Sequence, residues 1–453
     1  MISSIINIAL SGLRAAQIAL NEISNNIANA ENPKYCRRSP VFRENSPIRY
    51  SSLLLGQGVK VTDIKREYNK FFATQWQKEL GLLGDYEVKK QVLGQIETIF
   101  NEADSGLSNA LTEFWSAWED LSYDPTSMAN RETLINKTQV LIENFHQIAE
   151  RLHQLHKEIN GEIEATIADI NKLTQQIAGL NKDIKEAGGD VDSLYDERDS
   201  LIRELSEKID ITVFEEDKEV KIFLDGCPLV EGNKAFELKV NGDQIVWNSD
   251  DVEIDITSRI KKGELGAYLR LKNEIIPEYI EKLDNLAYHL VNKVNEQHKQ
   301  GYGLDNSHNI SFFIDLSNPE GAARDIELNS DILDSPNKIA ASSAPDEPSN
   351  NENALAILGL KDTSIPELND TTFEEFYSCL IAKVGNDAKE ASSFFEQQKL
   401  LVDEIRDKYD SISGVSLDEE AVNLLKFQYM YDASARLISI TDEMIKTLIN
   451  LGV

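Results

Sequence analysis

Three histidines, His146, His153 and His156, lie close together in one helical stretch, and the last two are three apart, so they share a face. A zinc centre needs a third ligand at fixed geometry and, for hydrolysis, a general base. The chain carries no His-Glu-x-x-His, so the three read as ordinary surface histidines of a rod. Gly56-Gln57-Gly58 lacks the third glycine and the Lys-Ser/Thr that would cradle a phosphate. The acids from Asp190 and Asp192 to Asp199 lack the glycine and terminal glutamate of a calcium loop. Cys36, Cys227 and Cys379 are far apart and odd in number, with no metal spacing and no readable disulfide framework. No catalytic residue, cofactor site or metal site is expected.

The charge balance narrows the partners. Lys plus Arg number 46 against 78 acids, a net charge of −32. A chain so negative is repelled by phosphate backbones and anionic lipid, which argues against nucleic acid and membrane surfaces. The basic residues that do cluster, Lys34, Arg37, Arg38 and Arg43, fall in a loop. They read as a solvated turn or as contacts to acidic neighbouring subunits. No Lys or Arg precedes the apolar residues of the opening, so it is no secretory signal. No apolar run approaches the ~20 residues needed to span a bilayer. At 453 residues with 41% hydrophobic content, two to four packed domains are expected.

The elements that position these residues follow from apolar spacing. Ile2, Ile6, Ala9, Leu13, Ala16, Leu20, Ile23 and Ile27 step by four and three without a break, a heptad seam that a lone helix cannot bury. At the far end Leu424, Phe427, Tyr431, Ala435, Ile438, Ile445 and Leu448 recur at helical spacing, after a Ser416/Glu419 capping box. The two termini are expected to form an antiparallel pair, with everything else inserted between them. Small residues (Ala9, Gly12, Ala15, Ala16, Ala19) would permit close helix approach once neighbouring subunits arrive. Asn32-Pro33 stops the first helix, and residues 36 to 68 are irregular or extended.

Long helices are predicted over 69 to 121 and 129 to 187, separated by Asp124-Pro125, the second ending at Gly188-Gly189. Its stripe from Leu141 to Ile184 repeats about every 3.6 residues, and such a helix would extend ~90 Å. From 209 to 262 the period falls to two, as in Val220/Ile222/Leu224, with Asn241-Gly242 a type I′ hairpin signal. Helices resume over 264 to 299 and 373 to 410, with a turn-rich stretch between. The predicted class is mainly α with β insertions. It is an elongated multidomain rod with a terminal helical coiled coil (1–68 plus 413–453), a long-helix bundle (69–208, 263–300 and 373–412) and a β-rich outer insertion (209–262 plus 301–372).

The opening Ser11-Gly12-Leu13-Arg14-Ala15-Ala16-Gln17, then Ala19-Leu20 and Ser24-Asn25-Asn26-Ile27-Ala28-Asn29, resembles that of bacterial flagellar axial proteins. Near the end, Asn423-Leu424-Leu425, Phe427-Gln428, Ala433-Ser434-Ala435-Arg436 and Asp442-Glu443-Met444 are similar to the same family. The lead-in Gly414-Val415-Ser416-Leu417-Asp418-Glu419-Glu420-Ala421 resembles its hook–filament junction members. Leu194-Tyr195-Asp196-Glu197-Arg198-Asp199 is similar to a Leu-x-Asp-x-Arg-Asp signature of the family, and Asn351 to Leu355 also resembles it. Where members usually carry Gly-Tyr the chain has Lys34-Tyr35, and a left-handed glycine conformation there would strain Lys.

The resemblance implies a non-enzymatic structural adapter that polymerises as a short ring at the hook–filament junction. It places the terminal helices in an inner tube, the long helices in the wall and the β insertion outside. Implied partners are further copies of the chain, the hook protein, a second junction protein, and a cytosolic export chaperone holding the C-terminal helix. Export would use the flagellum's own type III channel, with no cleaved signal, and end at the extracellular flagellum. Expected subunit-packing residues are Leu13, Leu20, Ile23, Asn25, Asn26 and Ile27 on the first helix, with Leu424, Tyr431, Ile438 and Leu448 on the last. Asn25, Asn26 and Asn29 either mark a helix fraying toward Pro33 or hydrogen-bond between packed subunits. One rival is a hook or rod protein, whose paralogues resemble β-rich chains between short helical ends. Another is a secreted adhesin or enzyme on a flagellin-like export scaffold.

Overall fold

The computed structural model describes residues 2–50, 53–100, 106–187, 191–249 and 252–451. Gly188-Gly189 and Asp190 lie outside them. The first helix, α1, runs Ile2–Ala28 and closes in turns through Asn29 and Asn32. Lys34 is not among the described residues with positive φ, so this loop makes no demand for glycine. The chain then folds back along α1 as a hairpin of β1 (Arg38–Glu44) and β4 (Val59–Arg66), enclosing a small ribbon of β2 (Ile48–Tyr50) and β3 (Leu53–Leu55). Gly58, at φ +82, is held close to α1: a Cβ there would lie 2.1 Å from the Ser11 Oγ. The same hydroxyl accepts the Val59 N–H at 3.1 Å.

The shaft begins with α2 (Lys70–Phe100), α3 (Leu107–Tyr123), α4 (Met128–Glu186) and α5 (Asp192–Lys208). The single helix expected over 69 to 121 is thus two helices, because Gly106 ahead of α3 is extended at φ −70 and ψ 174. α4 spans 59 residues, opened by the Ser127 side chain accepting the Asn130 N–H. Every apolar residue of its predicted stripe from Leu141 to Ile184 is buried.

Two antiparallel sheets wrap α4. One contains β5 (Thr212–Glu216), β6 (Glu219–Leu224), β7 (Cys227–Glu231) and β8 (Lys234–Ala235). The other contains β9 (Glu237–Asn241), β10 (Gln244–Ser249) and β11 (Val252–Asp255). Asn181 and Asn171 on α4 fix them. Each amide accepts a strand N–H and donates to a strand carbonyl, at Val220 and Leu238 respectively, replacing a neighbouring strand. The predicted hairpin is present, but its turn residues are Gly242-Asp243, since Asn241 pairs with Gln244 and only Gly242 has positive φ.

α6 (Gly263–Arg270) continues through a π turn, Leu271–Ile275, into α7 (Ile276–His298). Pro277 at the start of α7 has no N–H to return to the preceding turn, and the widened turn accommodates it. Residues 301–372 correct the expected domain division. They carry the short helices α8 (Ala322–Asp325), α9 (Ser330–Asp334) and α10 (Glu352–Leu358), and, among described residues, isolated bridges instead of paired strands. Their apolar residues serve the shaft directly: Phe312 and Phe313 join Phe114 and Trp118 in one aromatic cluster. This stretch caps the end of the shaft where α4 begins, and Arg131 ties it down by donating to the carbonyls of Pro336 and Ile339. α11 (Phe373–Ser413) opens with a complete Thr372/Glu375 capping box and returns along α2, leading into α12 (Leu417–Leu451).

Candidate assembly interface

α1 and α12 pack antiparallel, as the apolar seams predict. The face that closes the pair is narrower than the predicted seam and is made of small residues. Ala9, Ala16, Ala19, Ile23 and Asn26 are buried on α1, opposite buried Glu420, Ser434 and Thr441 on α12. At Gly12 the backbones come so close that a Cβ would lie 2.9 Å from the Ser434 Oγ. The buried positions described on α12, Glu420, Ser434 and Thr441, are therefore all polar, which apolar periodicity could not reveal.

Ile23, at 4% exposure, and Asn26, at 1%, are enclosed within the chain. This corrects their assignment to contacts between subunits. The Asn26 amide donates to the Arg38 carbonyl at 2.9 Å and to Glu420 at 3.3 Å, and its oxygen accepts from the Tyr35 hydroxyl and the Arg38 N–H. Asn25 is exposed and accepts from the Asn29 side chain. Leu13 and Leu20 are half-buried, as are Leu424 and Ile438, whereas Ile27, Tyr431 and Leu448 are exposed. The Ser416/Glu419 box is half formed. Glu419 N–H reaches Ser416 at 3.5 Å, but the Glu419 carboxylate pairs with Arg37 at 2.8 Å instead of returning to the cap.

The elbow between terminal pair and shaft is ionic. Arg37 and Arg38, expected to face solvent or neighbouring subunits, find acids of their own chain. Arg37 bridges Glu419 and the buried Glu420, each at 2.8 Å. Arg38 from β1 and Arg66 from β4 converge on Asp196 of α5, at 3.2 and 2.6 Å, and Arg66 also meets Asp199 at 2.9 Å. Burial opposes the Arg66 charge, but Asp199 and Asp196 outweigh it and hold the guanidinium protonated. From the same helical turn Arg198 points the other way, donating to Asn181, to the Lys218 carbonyl and to Glu215. The Leu194–Asp199 motif thus joins hairpin, shaft and β sheet. The spacing of that motif marks it in the sequence; its partners, 130 and 158 residues upstream, carry no local signal.

The histidines read as surface residues are half-buried, and two have ring nitrogens against backbone: His146 with the Ile326 carbonyl and His156 with that of Lys272. Among the described residues no group of three or more His, Cys, Asp or Glu could hold a metal ion. Ser3–Ala28 is, by length and composition, long and apolar enough to cross a membrane, which corrects the expectation that no run approaches that length. Arg14 and Glu22 interrupt it, and one edge lies on α12.

Residues 93–313 match the family described as "Flagellar hook-associated protein FlgK helical domain". Residues 406–451 match "Flagellar basal body rod FlgEFG protein C-terminal", and 6–33 match "Flagella basal body rod protein". Flagellar hook-associated protein 1 of Bacillus subtilis is 27% identical over 98% of this chain and 97% of its own length. That of Salmonella typhimurium is 24% identical over 99% and 100%. The solved structure of the flagellar hook junction protein from Burkholderia pseudomallei shares the fold, with a TM-score of 0.69 at 15% identity, over 75% of this chain and 100% of that one. With rod-type ends, a junction-type helical domain between them and relatives aligned from end to end, the chain is similar over its whole length to flagellar hook-associated protein 1.

Proposed function

We propose that this chain is a structural adapter that polymerises through its terminal helices at the hook–filament junction and joins hook to filament. The observation that carries the reading is the set of large apolar residues the terminal pair leaves uncovered. On α12, Leu425, Tyr429, Leu437, Ile440, Leu448 and Ile449 are 47–73% exposed. On a helix that has already closed its small-residue face within the chain, a stripe of this size fits neighbouring copies in a tube wall. Burying each such side chain contributes roughly 1.5–3 kcal/mol. Leu13, Leu20, Asn25 and Ile27 on α1, with Leu424, Tyr431, Ile438 and Leu448 on α12, are the contacts proposed between copies.

The role is mechanical and non-enzymatic. Its proposed partners are the hook protein on one side, the second junction protein on the other, and a chaperone that covers the α12 face in the cytosol. Export through the type III channel, without a cleaved signal, would deliver it to the flagellum. The test is a deletion strain: hooks that form normally while flagellin is shed as monomer support the adapter role. Absence of hooks would place the chain earlier in the axis, and normal filaments would remove it from the junction.

A further inference from the structure

The terminal pair and the shaft are covalently joined at only two short crossings, between Arg66 and Lys70 and between Ser413 and Leu417. Neither crossing by itself fixes a direction. Beside both lies the ionic cluster of Arg38, Arg66, Asp196 and Asp199, with Asp192 at 3.7 Å from the Arg38 Nε. Arg38, Asp196 and Asp199 are buried. The Tyr35 ring packs on the Arg38 guanidinium, and Tyr68 and Tyr195 on that of Arg66. A guanidinium fork donates to carboxylate oxygens in its plane, so two guanidinium groups on one carboxylate determine an orientation. Such a buried network adds little net stability over an apolar contact, and geometry is what it supplies.

We propose that the Asp196/Asp199 face of α5 is a docking site for the β1–β4 hairpin, and that seating Arg38 and Arg66 there sets the direction in which the shaft presents the terminal helix pair. The hairpin backbone passes that setting on. Asn26 of α1 bonds both the N–H and the carbonyl of Arg38, and the next residue back, Arg37, holds Glu420 of α12. Asp196 and Asp199 are thus positioning residues for assembly. Their carboxylates are taken up by Arg38 and Arg66 of the same chain, yet they decide where the uncovered faces of α1 and α12 point. The consequence for assembly rests on the adapter reading, but the docking itself is measured on unassembled monomer, so the two can fail separately.

The chain carries its own reporter. Cys36 is 3% exposed beside the cluster, Cys227 is buried in β7, and Cys379 is exposed on α11. In the full-length monomer, a thiol-reactive disulfide dye is expected to find one fast thiol and two slow ones. Undocking would open Cys36 alone. Two variants separate opening from a direct electrostatic effect on the thiol. Asp196→Asn removes a negative charge near Cys36 and favours its thiolate, whereas Arg66→Gln removes a positive charge and disfavours it.

Docking predicts that both variants accelerate Cys36 labelling, on the order of a hundredfold for loss of a buried pair, with Cys227 still protected. Acceleration in Asp196→Asn but not in Arg66→Gln would show electrostatics only and overturn the proposal, as would no change in either. If Asp196→Asn also exposes Cys227, Arg66→Gln decides, since it breaks the same pair from outside the shaft. Cys36 opening by itself there supports docking, and joint opening of Cys36 and Cys227 overturns it.

Discussion

The molecule contains two long antiparallel pairings that close in different ways. In the shaft, α2 and α11 run together beside a core of large side chains, with Phe114, Trp115, Trp118, Phe312 and Phe373 all at 0–1% exposure. In the terminal unit, α1 and α12 close mainly through small and polar residues with Ile23 among them, while Ile27, Leu425, Tyr429, Leu437, Ile440 and Leu448 stay exposed. The shaft has matched its apolar surface within one chain; the terminal pair leaves many of its large apolar side chains uncovered. Periodicity shows that a helix has an apolar face, but not whether its partner is in the same molecule.

The largest effect should come from the core of the shaft. Trp118→Ala is expected to destabilise the monomer by about 3–5 kcal/mol, since it empties a fully buried site ringed by Phe114, Phe312 and His298. Chemical denaturation followed by far-UV circular dichroism measures it. A shift below about 1 kcal/mol would erase the contrast between a self-sufficient shaft and an open terminal unit.

A second effect in the shaft follows pH. His298 is fully buried, with Nδ1 against the Ile310 carbonyl and Nε2 accepting the Ala340 N–H, so its imidazole is neutral. Burial, reinforced by Arg131, pushes its pKa down from 6.5 to about 4. Because the folded state resists the proton, this contribution is complete above pH ~6.5 and is lost as pH falls toward 4, to the extent of about 3 kcal/mol. The difference in denaturation midpoint between wild type and His298→Gln should narrow over that window. A constant difference would mean the ring is not held neutral.

How much of this was legible follows from the same contrast. The α4 stripe was readable from Leu141 to Ile184 because its partners lie in the same chain and every residue of the stripe is buried against them. The α1 seam was half readable. Ala9, Ala16 and Ile23 face α12, but between them Gly12, Ala19 and Asn26 displace the larger Leu13, Leu20 and Ile27, since small residues let the backbones come nearer. Glu420 was illegible because its burial depends on Arg37 and Asn26, nearly four hundred positions away. Residues 301–372 read as turn-rich and are grouped by sequence with the β insertion; Phe312 and Phe313 instead complete a helical core.

The exposed face of α12 should behave in the opposite way to Trp118. Ile440→Asp and Leu448→Asp alter side chains 48% and 55% exposed, so each is expected to change monomer stability by less than ~0.5 kcal/mol. In the assembled ring the same carboxylates would sit unpaired in a dry contact, at a cost of several kcal/mol per subunit. The expected outcome is folded, exported protein with hooks that lack filaments. Normal motility in both variants would show that this face is not the seam between copies.

The smallest effect tests how the terminal pair closes. Gly12→Ala has two opposed consequences. Alanine in place of glycine within α1 favours the helix by roughly 0.8–1 kcal/mol. Its new Cβ, however, would stand 2.9 Å from the Ser434 Oγ, nearer than carbon and oxygen rest, so Ser434 must turn or the helices must part. Ser434 is buried and has little room to turn, so the two terms are expected to cancel to within ~0.5 kcal/mol. Ser434→Ala removes the opposing oxygen. In the double variant the helix gain should reappear, and the terminal pair should melt later than in either single variant. The readout is hydrogen exchange in α1 and α12, because global unfolding reports the shaft. If protection rises equally in Gly12→Ala with and without Ser434, the backbones do not meet at this point. The small-residue face would then not be what closes the pair.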